Sequence, residues 1–275
     1  MNPHLAKSGS PRALLASAWT HRTLIYQLGK RDVVGRYRGS VAGLAWSFFN
    51  PLLMLGVYTF VFAVVFQARW QGTTGDKGSF AVILFIGVLV HGIFAECLNR
   101  APGLILANAN YVKRVMFPLE ILPWVSMGSA LFHALVSLLV LLIAQVYVLG
   151  GIPPTALLLP VVLAPLVLTT VGLTWIFSAF GVYLRDIGQT TVVITTVALF
   201  LSPVFYPVTA LPEEYRFLFL LNPLTFIIEQ AREVLIWGRL PDWRGLAVYA
   251  VASLAVSSAG FWMFQRMRRG FADVL

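Results

Sequence analysis

A single cysteine, Cys97, stands in 275 residues, so neither an intrachain disulfide nor a thiolate metal cluster can form. Charge is almost as scarce. Between Ile121 and Leu184 there is no Asp, Glu, Lys or Arg, and His133 is the only histidine; no soluble domain needs such a stretch. Phosphate-loop, zinc-protease and serine-hydrolase signatures are absent as well. Gly29-Lys30 is followed by Arg31 and lacks the upstream glycine of G-x-x-x-x-G-K-[ST], and neither H-E-x-x-H nor G-x-S-x-G occurs. The chain is therefore not expected to hydrolyse a nucleotide or a peptide, nor to hold a metal or cofactor of its own.

What is present is apolar. Hydrophobic residues make up 59% of the chain, charged residues 11%, and the mean hydropathy is +0.81. A bilayer-spanning helix takes about 20 mainly apolar residues, and 121–184 is long enough for two, with Gly150-Gly151-Ile152-Pro153-Pro154 as the turn between them. This is the composition of an integral membrane protein. Its net charge of +9 then marks cytoplasmic segments and contact with anionic lipid rather than a nucleic-acid partner.

Helical spans are expected near 43–67, 80–99, 121–149, 156–184, 188–208 and 246–266. The first forty residues are polar and basic, without the pattern of an ordinary cleavable signal, which predicts a cytoplasmic N-terminus. Six spans then return the C-terminus to the same side. That arrangement places 14 of the 20 Lys and Arg inside, including Arg100, Lys113, Arg185 and Arg266, and leaves Arg69, Lys77, Arg216, Arg232, Arg239 and Arg244 outside. The bias has the sign that cytoplasmic loops show. Segment 213–240 could tempt a seventh span, but Asn222-Pro223 interrupts it and Glu229, Arg232 and Glu233 follow. Asn before Pro reads as an N-cap with Pro at the first helical position. Two short helices dipping into the outer leaflet are expected, with protein or a watery cavity around them.

Several polar groupings admit two readings. Segment 12–41 alternates apolar residues with Arg22, Lys30, Arg31, Arg36 and Arg38, as an amphipathic interface helix does. It is either a lipid anchor or a place that receives an anionic lipid-linked substrate on its guanidinium groups. Asn108–Pro118 is either a plain loop or a docking helix with Tyr111 and Phe117 as anchors and Lys113 and Arg114 as charges. Glu96 and Arg100 are spaced as an intrahelical ion pair. His91 and His133 fall inside spans, where a hydrogen-bonded structural role is expected over a proton relay. Tyr58, Phe62 and Phe66 recur at i, i+4 and i+8 with Trp46 near the inner end, which suits packing or a sugar channel.

Five stretches, in order, resemble one family. They are Arg36-Tyr37-Arg38-Gly39-Ser40 with Gly43-Leu44-Ala45-Trp46 and Asn50-Pro51-Leu52-Leu53; Lys113 through Pro123; Tyr183 through Ile187; Ser202-Pro203-Val204-Phe205-Tyr206-Pro207; and Asn222-Pro223-Leu224. The chain is similar, over roughly 30–240, to the ABC-2 type permeases that export O-antigen, teichoic acid or capsule. Leu119 departs from the basic residue common there after the proline, which weakens any charge role for that position. The resemblance implies an all-α membrane fold in one domain, 1–275. It divides into an amphipathic segment 1–41, five spans over 43–208, a re-entrant outer loop 209–245, and the sixth span and tail over 246–275. It also implies a homodimer in the cell inner membrane, each copy with a separate cytosolic subunit that binds ATP and Mg. Arg31, Arg36 and Arg38 become the entry for a lipid pyrophosphate, and Tyr111, Lys113, Arg114 and Phe117 the ATPase coupling element. Trp46, Tyr58, Phe62 and Phe66 line the channel, and Pro203, Tyr206, Pro207, Asn222, Pro223, Glu229 and Arg232 form the outer gate. A polyprenyl-phosphate-dependent membrane glycosyltransferase is the competing reading. It needs converging acids, whereas Asp32 and Asp186 are placed inside and Glu213, Glu214, Glu229 and Glu233 outside. A secondary transporter needs midplane ionisable pairs.

Overall fold

The computed structural model describes residues 11–65, 77–112, 117–210 and 212–275. Among them there is no strand, and every regular element is helical. In a bilayer this follows from chemistry, because a helix satisfies its backbone hydrogen bonds within one segment. The segment expected as one amphipathic helix is two, α1 (Pro11–Thr20) and α2 (Arg22–Tyr37), broken at His21. Next come α3 (Trp46–Tyr58), which widens into a π-helical turn over Thr59–Val65, and α4 (Lys77–Leu104). A four-residue helix α5 (Ala109–Val112) precedes α6 (Leu122–Leu149). Gly150 ends α6 at φ 80°, the left-handed conformation that glycine adopts without strain. The turn leads into α7 (Leu159–Tyr183).

Five stretches are long and apolar enough to cross a membrane: Gly43–Phe62, Gly78–Leu104, Leu119–Leu149, Pro154–Tyr183 and Trp243–Val274. The fifth span expected from sequence, 188–208, is shorter than that reading. Its helix α8 (Ile187–Phe200) has 14 residues, about 21 Å at 1.5 Å per residue, against a hydrocarbon core of about 30 Å. The stop is written in the chain, since Pro203 disfavours helix at Ser202. Beyond it lie α9 (Glu213–Leu221) and α10 (Pro223–Arg232), the two short helices expected on either side of Asn222. A π-helical turn over Glu233–Trp237 and Gly238 at φ 65° then reverse the chain. Asp242 caps α11 (Trp243–Met267) by accepting from the Arg244 and Gly245 amides, and α12 (Phe271–Val274) ends the chain.

Helix α4 is the hub, packed against α3, α6, α7, α8 and α10. Its Ile83, Leu84, Val90, Ile93, Cys97 and Leu98 are fully buried. The closest pair is α7 with α11, where Thr169 Oγ1 donates to Ser253 Oγ at 2.9 Å. A Cβ on Gly260 would fall 2.2 Å from the Gly172 carbonyl oxygen. Small residues let these backbones approach, as they do where helices meet in lipid. The N-terminal helices, the residues before α6 and the end of α11 converge on one end of the bundle, with α1 touching both the Leu119–Ile121 turn and α11.

Candidate functional site

At that end of the bundle α2 packs on α6, and its Asp32 and Arg36 reach side chains of α4. Arg100 Nη2 donates to both Asp32 oxygens at 2.7 Å, and Ser129 Oγ donates to Asp32 Oδ2 at 2.6 Å. One turn further on, Arg36 Nη2 donates to Glu96 Oε1 at 2.7 Å. His133 Nδ1 stands 2.9 Å from Glu96 Oε2, and its Nε2 is 3.1 Å from the Tyr37 hydroxyl. With a proton on Nδ1, His133 donates to Glu96, while its Nε2 faces the Tyr37 hydroxyl. His133 therefore has an acid beside it, contributed by a different span. The Glu96–Arg100 pair read from spacing exists only at 3.8 Å, because each residue has a nearer partner on α2. His91, deeper in α4, donates from Nε2 to the Thr195 carbonyl at 2.9 Å and so joins α4 to α8.

These partners set the protonation of Asp32. Burial by itself would push its carboxyl up, but donation from Arg100 and Ser129 and the charge of Arg36 hold it below the ordinary carboxylate range. A depressed acid contributes stability that is complete above its unfolded value and is lost as pH falls through the lowered one. The tie is intact at neutral pH.

Of the three arginines assigned to entry, Arg31 and Arg36 border one shallow depression with Asp32, Gly35 and Arg100. Arg31 Nη2 also donates to the Tyr111 hydroxyl at 2.8 Å. Arg38 stands apart and exposed, just past the end of α2. A cleft of about 350 Å³ opens beside the network, with Arg36, Tyr37, Glu96 and His133 at one end and Met54, Phe85 and Val88 along its wall. Arg100 joins this group only through folding. Its sequence signal was the i,i+4 spacing to Glu96, a pair that is present at 3.8 Å, while the shorter contacts to Asp32 carry no such signal.

In the segment assigned to ATPase coupling, Tyr111 and Phe117 stack with ring centroids 4.2 Å apart and planes at 13°. Lys113 and Arg114 lie outside the described residues, as does Phe66 of the channel stripe. The rest of the stripe divides. Tyr58 and Phe62 turn inward onto Phe205, Phe62 stacking at 5.1 Å, while Trp46 is exposed.

The residues assigned to the outer gate come together at the opposite end. Asn222 Oδ1 accepts from the Leu224 amide at 2.9 Å, the expected cap, and Nδ2 donates to Leu201 O at 3.1 Å and Ser202 Oγ at 2.9 Å. Arg232 is 1% exposed; it donates to Glu229 at 2.8 Å, to Val204 O at 3.2 Å and to Ile83 O at 3.3 Å. A buried guanidinium needs such partners, and they pin α10 to α4 and to the Pro203 turn. Tyr206 packs edge-on against Phe219. Pro207 follows on the same turn, and Pro223 opens α10 with its carbonyl accepting from Tyr249.

A family profile described as ABC-2 type transporter matches residues 23–236. The chain is 29% identical over 265 residues to "O-antigen export system permease protein RfbA" of Myxococcus xanthus, covering 94% of this chain and 98% of that protein. It is 25% identical over 254 residues to a protein of the same name from Klebsiella pneumoniae, covering 92% and 95%. Against "Polysialic acid transport protein KpsM" of Escherichia coli it is 24% identical over 242 residues, covering 86% and 90%.

Proposed function

The chain belongs to the ABC-2 type transporter family, and from that premise we propose that it is the permease subunit of an ATP-driven exporter carrying lipid-linked polysaccharide, of the O-antigen class, across the cytoplasmic membrane. The observation that carries this reading is the family match over 23–236, joined to near full-length similarity to permeases named for polysaccharide export. Nucleotide chemistry then belongs to a separate cytosolic subunit binding ATP and Mg, since this sequence has no phosphate loop of its own. Two copies of the permease form the working unit, with both termini on the cytoplasmic side and α9 and α10 folded back on the outer side.

Entry is at the α2 end. A pyrophosphate approaching the depression bordered by Arg31, Arg36 and Arg100 meets guanidinium groups, whose fork geometry suits phosphate oxygens. Asp32 and Glu96 hold two of those groups in place, which keeps them oriented while offsetting part of their charge. The Tyr111–Phe117 stack is the anchor for the ATPase subunit.

Two measurements test this. In cells lacking the chain, lipid-linked polysaccharide should accumulate on the cytoplasmic leaflet. Export should return when the chain and its ATPase are supplied together, but not when the ATPase cannot hydrolyse ATP. Export without ATP, or sugar transfer to polyprenyl phosphate by the purified chain, would favour the glycosyltransferase instead. For entry, export should fall in the order Arg, Lys, Gln at Arg36 or Arg38 with insertion unchanged. Substitution at Arg36 also strands Glu96, and Arg38 lies outside the depression, so Arg31→Gln decides whether the charge there matters; normal export by that variant would overturn the entry reading, and normal export by Arg38→Gln would restrict Arg38 to anchoring.

A further inference from the structure

Two residues beyond the coupling element lies a buried ion pair that the transport reading does not use. Glu120 is 1% exposed, and its Oε2 accepts from Arg268 Nη1 at 2.7 Å across 148 positions of sequence. Arg268 stands where α11 ends, with its side chain 9% exposed. Its other terminal nitrogen donates to the carbonyl of Phe117 at 3.3 Å. One guanidinium therefore grips both ends of the Phe117–Glu120 stretch. On the remaining sides, Trp175 Nε1 of α7 donates to the Glu120 carbonyl at 3.0 Å, and Ser17 Oγ of α1 reaches Glu120 Oε1 at 3.5 Å. The Tyr183 hydroxyl donates to Met267 O at 3.0 Å, holding the end of α11 to the end of α7.

We infer that Arg268 and Glu120 are positioning residues that clamp the ATPase-docking element to the last span, so that displacement at Tyr111 and Phe117 is passed to α11, α7 and α1 together. The inference rests on assigning 108–118 to ATPase docking. Phe117 is the junction, because its ring stacks on Tyr111 while its carbonyl is held by Arg268. A push on that stack meets a stiff, desolvated pair rather than a free loop. Packed interiors pass displacement between discrete arrangements instead of absorbing it. Desolvated ion pairs are weak evidence for stability as such. This one sits where the segment that receives the stroke meets the helix that ends the bundle, and there its geometry has mechanical use.

The test uses the full permease–ATPase complex in proteoliposomes, scored for insertion, ATPase retention, ATP hydrolysis and polysaccharide exported. Arg268→Gln should keep the partner and its hydrolysis but lower polysaccharide exported per ATP about tenfold. Arg268→Lys keeps the charge and loses the fork, so it should recover at least half of the wild-type ratio. Trp175→Phe leaves the ion pair in place and removes the bond to the Glu120 carbonyl together with part of the packing on Trp124 and Phe261, and it should lower the ratio several-fold. It decides the matter if Arg268→Gln does not insert. An unchanged ratio, or export and hydrolysis falling in proportion in all variants, would overturn the clamp and leave a purely structural pair. Tyr111→Ala and Phe117→Ala form the separate arm: full partner retention and full export in both would remove the docking assignment itself.

Discussion

At the residue scale the chain spends its few polar groups on contacts between helices. Gly172 and Gly260 show how close those helices lie. A Cβ on Gly172 would come within 2.6 Å of Ser257 Cα, and one on Gly260 within 2.2 Å of Gly172 O. The obstacles are backbone, which cannot rotate aside. Gly128 is the contrast, since a Cβ there meets nothing within 4 Å. Gly260→Ala should therefore destabilise the protein by about 1–3 kcal/mol, the range of overpacking. Gly128→Ala should be neutral or gain up to about 1 kcal/mol from helix propensity. Thermal unfolding in detergent checks the pair, and equal shifts for both would refute the close α7–α11 contact. Cys97 belongs to the same argument: fully buried on α4, it is a small core residue.

At the element scale Asn222 has two separable tasks. Its carbonyl oxygen caps α10, and its amide nitrogen holds the end of α8. Helix α8 ends with carbonyls that lack intrahelical partners, and the side chain amide satisfies one of them, at Leu201. Losing a cap costs about 1 kcal/mol. Asn222→Ala should thus speed amide exchange at Leu224 and loosen 201–204. Asn222→Asp keeps the acceptor, so it should loosen 201–204 while Leu224 stays protected. Exchange rates read by mass spectrometry distinguish the tasks, and loss of Leu224 protection in the Asp variant would show that they are one. Much of this element was legible in advance. The Asn222-Pro223 cap and the Gly150 turn are local chemistry. The end of α8 was legible as well, in Pro203, but the apolar run through Val204–Tyr206 masked it.

At the scale of the molecule, topology is the quantity to measure. In a Cys97→Ser background, cysteines at Glu214 and Arg244 should react with an impermeant reagent from outside, and one at Asp273 only from inside. All three positions are exposed. Arg268 is unsuited to a probe, being buried against Glu120. Labelling of Asp273 from outside would overturn the orientation inferred from basic residues.

The sequence by itself determined that this chain lives in a bilayer, roughly where its long helices run, and that 213–240 breaks into two short ones. Each of these follows from interactions within about 20 neighbouring residues, where apolar length, caps and prolines act. Only the tertiary structure decided which charges meet between helices. Spacing paired Glu96 with Arg100, yet packing gave Arg100 to Asp32 and Glu96 to Arg36 and His133. It also joined Glu120 to Arg268 at the far end of the chain. In a low-dielectric interior a charge settles on whatever counter-charge the packed helices bring within reach, and that choice depends on how α2, α4, α6 and α11 lie together, which no periodicity along one helix records.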